Sequence, residues 1–448
     1  MEKRRNSFKP STTALKRYLT ALSLVFIFPI FGQTESSVTD LRTYTHPAIF
    51  GLDTSIPSKY PFIDLSQNNF KFYSEEAPNW MHFFREFDAM VSEKDRKLNF
   101  YHLGGSHLQA DIYTQVFRSS LQSYWEEVCG ERGQVFPFSL AGTNNPSNYK
   151  FRSPNKWKGY RSVSVRPEKL AYGLSGIVAT CPDSVIRLNF SYDRTDVRPE
   201  FNAFRILHNE GIAPYSIYLL NENVGIQEVI TNEEYGYTEF VLNAEIDSLS
   251  LEFVKKAGFS SASLEIYGVT LMNNEPGASY SAIGVNGAAL VTFLGNSRFE
   301  EQLCLYPPDF FAFSVGTNDA NVPASAFDPQ QYKRNLEQMI LKVLRCNPDC
   351  AILLTVPNDA YYQKKYPNPN LGKLREMVIQ LAEKYKLAVW DFYGIMGETG
   401  SSKTWLNNGL MQADLVHFSG MGYQIKGQLY FDAFLKFLEQ MRNTEKMK

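Results

Sequence analysis

Between residues 309 and 391, apolar runs without polar alternation recur: 309–315 (DFFAFSV), 351–356 (AILLTV) and 387–391 (LAVWD). Stretches with helical spacing, 328–345 and 371–385, separate them, and a further one over 420–442 closes the chain. A strand that is apolar on both sides needs cover on both faces, and helices alternating with such strands supply it around a parallel sheet. The same rhythm occurs once far upstream. Residues 75–95 place Trp80, Phe83, Phe84, Phe87 and Met90 near helical spacing, 97–103 (KLNFYHL) reads as a strand, and 108–127 reads as a helix. The spacing therefore predicts an α/β domain whose first strand is remote from the rest.

The intervening stretch has a different texture. From about 150 to 274 the chain carries short β-like runs broken by turns, among them 184–192 (SVIRLNFSY), 215–220 (YSIYLL), 249–254 (LSLEFV) and 263–271 (SLEIYGVTL). Many short strands with turn signals predict a β-sandwich or jelly roll. The expected order is a first α/β part over 75–148, an inserted all-β domain over 149–278, and a second α/β part over 279–448. Length agrees, since 448 residues exceed one domain at roughly 150 residues each.

The beginning of the chain reads as an address. Lys3, Arg4, Arg5, Lys9, Lys16 and Arg17 precede an apolar run over 18–31. That pattern is a secretory signal, too short for the roughly 20 residues of a membrane span. We expect a signal peptide over 1–33, a leader with little regular structure over 34–74, and a secreted or periplasmic mature protein without a transmembrane span. With 45 Lys+Arg against 47 Asp+Glu there is no basic footprint for nucleic acid. Five cysteines are too few for a disulfide scaffold; Cys346 and Cys350 flank a turn and are the candidate pair. No cysteine or histidine spacing resembles a metal site.

Three short motifs carry possible chemistry. Gly104-Gly105-Ser106-His107 ends the first strand, where a sharp turn exposes a hydroxyl ahead of a helix N-terminus; alone, such a Ser is more often a helix cap. Gly316-Thr317-Asn318-Asp319 ends another strand, and an Asn amide there can donate to a developing oxyanion; a turn plus a cap is the alternative. Asp414-Leu415-Val416-His417 sets a carboxylate three residues before an imidazole, a spacing that lets one orient the other. Both Ser106 and Asn318 fall at the carboxyl edge of the expected sheet, where sites of such folds lie.

The order Ser, Asn, Asp-x-x-His resembles the SGNH, or GDSL-type, hydrolases over roughly residues 97–128 and 280–440. The resemblance implies a three-layer α/β/α, flavodoxin-like parallel sheet, interrupted here by the β-insert. It implies Ser106 as nucleophile and Asp414 and His417 as its triad partners. The oxyanion hole would comprise the Ser106 N–H, the Asn318 amide and the N–H of Gly287, from the segment Ile283-Gly284-Val285-Asn286-Gly287-Ala288. Gly105 stands where the family usually has Asp. The longer stretch GSHLQAD, with His107 and Gln109, is similar to exported peptidoglycan O-acetylesterases and related polysaccharide esterases, whose members carry a carbohydrate-binding-like β-module at this point.

The implied activity is hydrolysis of acyl esters, acetyl foremost, on a polysaccharide or peptidoglycan through an acyl-Ser, with no metal or organic cofactor. An O-acyltransferase using the same triad and a non-catalytic glycan-binding protein with a relic triad are the alternatives. His107 either lines the pocket or caps the helix. Trp157 and Tyr215, with Tyr160, Tyr172 and Tyr218, are candidates for stacking on sugar rings. His102 is expected to be a packed core histidine. Asp359, Tyr361 and Tyr362 are candidates to border the site.

Overall fold

A computed structural model describes residues 52–164, 170–193, 200–211 and 213–446. The expected signal peptide lies outside the described residues, as does the leader up to residue 51. Among the described residues no helix is long and apolar enough to cross a membrane.

Six strands make the central sheet: β1 (Phe70–Phe72), β2 (Lys97–Gly104), β3 (Gly277–Gly284), β4 (Phe310–Ser314), β5 (Ala351–Val356) and β6 (Ala388–Asp391). Their spatial order is β1-β6-β5-β4-β2-β3. All pairings are parallel except that of β1 with β6. The expected α/β class is thus observed. In β5 and β6 every residue is buried, which is why these runs show no alternation. β2 is the first parallel strand in the chain, and its neighbours β3 and β4 follow it on either side. That arrangement creates a crevice between β2 and its neighbours, outside the carboxyl ends. The registers Gly104↔Gly284 and Gly104↔Ser314 bring the ends of β2, β3 and β4 level.

The structure departs from expectation before residue 74. Phe70–Phe72 adds an antiparallel strand to the sheet edge, and Ile56, Tyr60, Ile63 and Phe70 are buried. The stretch had read as polar because its apolar residues are spaced too irregularly to show a period. The expected helix over 108–127 is also broken, into Ser106–Gln109 and Tyr113–Ser123. At the break Asp111 takes φ +47° and its buried carboxylate pairs with Arg118 and Arg132. That charge-assisted cluster outweighs a continuous helix.

Two antiparallel sheets form the insert. The seven-stranded one runs Ile226–Asn232, Tyr237–Ile246, Phe201–His208, Leu264–Met272, Ile177–Cys181, Lys158–Arg161, with Gly133–Val135 also joined to Leu264–Met272. The four-stranded one runs Tyr149–Arg152, Val185–Tyr192, Ser248–Lys255, Tyr215–Leu219. In Val185–Tyr192 exposed and buried residues alternate, the period of a sheet with one wet face. The sandwich core, with Phe151, Phe190, Leu251 and Phe253, is continuous with Tyr101, Leu103, Phe311 and Phe313 on one face of the central sheet. The other face carries Phe100 and Phe310, 5.1 Å between ring centroids, under Phe83 and Phe434 from the helices Pro78–Glu93 and Gly420–Lys446.

The cysteine pairing differs from expectation. Cys346 bonds Cys304, with Cα atoms 4.9 Å apart, and Cys350 is free and buried. Cys304 and Cys346 each end a helix, Phe299–Cys304 and Pro329–Cys346, and those ends meet. Cys350 instead faces the core at the entrance to β5. The bond closes a loop with a sequence separation of 42. Replacing both Cys304 and Cys346 with Ser is expected to lower stability by about 2–4 kcal/mol through the freed unfolded chain. A urea unfolding midpoint unchanged by the double substitution would contradict this.

Candidate active site

Ser106 opens the short helix that follows β2, and Gly105 carries the chain around the corner. A Cβ on Gly105 would stand 3.1 Å from the Asn318 amide nitrogen, so this glycine leaves the Asn side chain its place. Asn318 follows β4 in the short helix Thr317–Ala320. Gly287 lies three residues beyond the end of β3, exposed, with φ +83°, a conformation that suits glycine. Asp414 and His417 sit in the turn ahead of the closing helix, where Leu415 is also left-handed at φ +57°.

The structure brings Ser106, Asp414 and His417 together. Ser106 Oγ lies 2.7 Å from His417 Nε2, and Asp414 Oδ2 lies 2.7 Å from His417 Nδ1. The other carboxylate oxygen of Asp414 accepts from the Val416 and His417 N–H groups, both at 2.9 Å. One carboxylate thus fixes both the turn and the ring. Burial works to raise the Asp414 carboxyl, but the hydrogen bonds from the His417 ring and the two N–H groups outweigh it and hold the group below its ordinary value. A carboxylate so placed favours the His417 tautomer with its proton on Nδ1, which leaves Nε2 to accept from Ser106.

Asn318 and Gly287 converge on the same corner. The Asn318 amide donates to the Ala288 carbonyl at 2.8 Å, which ties the β4 turn to the loop after β3. Among the described residues neither the Ser106 N–H nor the Gly287 N–H has an acceptor.

His107 does join the site. Its ring packs against that of His417, centroids 5.1 Å apart, and its Nδ1 lies 2.9 Å from the Tyr423 hydroxyl. Burial, then the neighbouring His417 and Lys426, push its pKa well down, so it stands there neutral. Lys426 is itself buried among the rings of Tyr113, Phe392 and Phe418, and burial pushes its amine down to about 7. His102 is a core histidine as expected: fully buried, bonded to the Tyr280 and Ser314 hydroxyls and pushed by burial down to about 3.

Tyr215 and Trp157 do not join it. Tyr215 is 2% exposed in the sandwich core and its hydroxyl donates to the Asp183 carbonyl, so it has no face to offer a sugar. It opens an inward-facing strand position, which sequence alone does not separate from an outward one. Trp157 is half-buried against the same core. Tyr172 is buried as well, while Tyr218 is exposed. Asp359 accepts from the Gly400 and Ser402 N–H groups, and the Tyr361 N–H supports the turn that carries Asp414 and His417 by donating to the Leu415 carbonyl. A cavity of about 720 Å³ with mixed polar and apolar walls, lined by residues including Lys97, Asn99, Glu131, Val241, Asn243 and Tyr306, opens at the far end of β2 from Ser106.

Residues 258–425 match the model of the GDSL-like Lipase/Acylhydrolase family. The match takes in Gly287, Asn318, Asp414 and His417; Ser106 lies upstream, separated from it by most of the insert. This match, over less than half of the chain, and the fold make the chain similar to the SGNH-type hydrolases and support a hydrolase acting on ester bonds. Among solved structures it is similar to a peptidoglycan O-acetylesterase, at 19% identity and a TM-score of 0.68, over 83% of this chain and 99% of that one. A GDSL-like lipase from Bacteroides thetaiotaomicron matches at 22% identity over 35% of this chain and 76% of that one, with a TM-score of 0.29. A family two carbohydrate esterase from Cellvibrio japonicus matches at 8% identity over 65% and 98%, with a TM-score of 0.28. No curated protein sequence matches the chain.

Proposed function

We propose that this chain is an exported serine esterase that removes O-acetyl groups from a glycan, with peptidoglycan the leading substrate. The observation that carries the reading is the continuous hydrogen-bonded line from Ser106 Oγ through His417 to Asp414, with 2.7 Å at each link. In this reading His417 Nε2 takes the Ser106 proton as Oγ attacks the ester carbonyl. The Ser106 and Gly287 N–H groups and the Asn318 amide meet the oxyanion. His417 then protonates the departing sugar oxygen, which leaves as the free hydroxyl, and a water activated by the same ring hydrolyses the acetyl-Ser. The similarity to a peptidoglycan O-acetylesterase along nearly that protein's whole length supports the choice of substrate. Export is supported by the basic and apolar pattern of residues 1–31 and by the Cys304–Cys346 bond, which suits an oxidising compartment.

Acetate release tests the substrate. Incubation with O-acetylated peptidoglycan is expected to liberate acetate faster than incubation with acetylated xylan at equal ester concentration. Equal rates would remove the preference for peptidoglycan. Acetyl groups recovered on an added sugar acceptor, with no free acetate, would replace the hydrolase reading with the acyltransferase one.

A further inference from the structure

The loop that leaves β3 presents the Gly287 N–H, yet its tip is exposed and carries no side chain at that position. Something must hold it. Three side chains do, each from a different place. Gln109, buried in the helix that starts at Ser106, accepts from the Asn286 N–H through Oε1 at 2.7 Å. Asn318 donates to the Ala288 carbonyl at 2.8 Å. Asp319 accepts from the Leu290 N–H, with Oδ1 at 3.1 Å and Oδ2 at 3.4 Å. Gly287 is thus suspended between the first tether and the other two. Only Asn318 is expected to touch the reacting atoms.

We infer that Asp319 is a positioning residue of the oxyanion hole, its carboxylate clamping the loop so that the Gly287 N–H stays aimed at the reacting ester. The inference rests on the catalytic reading above. Its chemistry is specific because the clamp is a charged one: an ionised carboxylate accepts from a backbone N–H about twice as strongly as a neutral group does. Among the described residues no cation is paired with Asp319. The titratable group facing it is Tyr332, from the helix Pro329–Cys346, whose hydroxyl donates to the Val315 carbonyl. Burial raises the Asp319 carboxyl to about 6, against the pull of the Leu290 and its own N–H groups. As pH falls through that value the carboxylate gains a proton, the clamp weakens and the hole loosens. Activity should therefore carry a component that is lost as Asp319 takes up its proton.

The test uses the full chain, p-nitrophenyl acetate and two variants. Asp319→Ala is expected to lower kcat by about tenfold to a hundredfold, the range for a catalytic donor misplaced by up to an ångström, with KM within about twofold. Asp319→Asn keeps an acceptor for the Leu290 N–H but cannot titrate. As the neutral counterpart of the protonated carboxyl, it should lower kcat several-fold at neutral pH, and the gap to the wild type should close as pH falls below about 6. Full activity in Asp319→Ala, or an Asp319→Asn enzyme whose ratio to the wild type does not change with pH, overturns the inference. Should Asp319→Ala fail to fold, the Asp319→Asn profile still decides. Labelling of Ser106 by a fluorophosphonate, read by mass, separates the levels: an inactive, unlabelled wild type removes the catalytic reading and this inference with it. An active, labelled wild type with indifferent Asp319 variants removes this inference alone.

Discussion

Ser106→Ala is expected to reduce kcat for p-nitrophenyl acetate by about a millionfold, the scale on which loss of a triad nucleophile is felt. The reason lies in the division of labour. His417 and Asp414 are arranged to take one proton, that of the Ser106 hydroxyl, from 2.7 Å. With alanine there is neither nucleophile nor proton to take, and the remaining N–H donors stabilise only an oxyanion formed by direct attack of water. The substitution removes one oxygen from a half-buried position and disturbs no core packing, so the unfolding midpoint should move little. Turnover equal in the two proteins would remove Ser106 from the site altogether.

Asp414→Asn should cost about ten-thousandfold in kcat, with the structure intact. Asp414 does two jobs with two oxygens: Oδ1 receives the Val416 and His417 N–H groups, and Oδ2 receives the imidazole N–H. Asn can serve only one of these as an acceptor. If its oxygen keeps the turn, its NH₂ faces His417 Nδ1 and forces the ring proton onto Nε2, where it can no longer receive the Ser106 proton. A pH dependence of stability accompanies this. The folded-state Asp414 carboxyl is held below its unfolded value, so its stabilising contribution is complete above the unfolded value and is lost as pH falls through the folded one. The Asn variant should lack that component of acid destabilisation. A loss of less than about tenfold in kcat would mean that the ring is oriented by something other than Asp414.

Strands and long helices were legible because burial on both faces writes an unbroken apolar run. The helix Leu371–Tyr385 falls where its spacing predicts, and β5 coincides with the run 351–356. The candidate site was legible for a chemical reason: few residue types can do such work, and Ser106 and Asn318 follow strand ends while Asp414 and His417 share one turn. What escaped was tertiary. Phe70–Phe72 is too short to carry a period, and only its pairing with β6 makes it a strand. Cys304 lies far in sequence from Cys346, so spacing favoured the nearer Cys350. Asp111 looks like an ordinary helical surface residue until Arg118 and Arg132 close on it. Gln109 and Asp319 sit inside quoted motifs, yet their grip on the loop after β3 depends on three strand ends standing level. Aromatic residues of the insert looked alike in the sequence, and only strand facing separates buried Tyr215 from exposed Tyr218.

The pairing of β2 with β3 sets when this enzyme comes into being. Lys97 lies beside Gly277, and the whole β-insert is threaded between them. Ser106 therefore leaves the ribosome long before Gly287 and Asn318, and the turn with Asp414 and His417 follows later still. The edge of β6 waits for Phe70–Phe72, a segment made more than three hundred residues earlier. Contacts that span so much chain form late, since the loop entropy must be lost before they return anything. An unfinished chain consequently holds Ser106 without the side chains that meet it here, and the constellation can close only once His417 has been made.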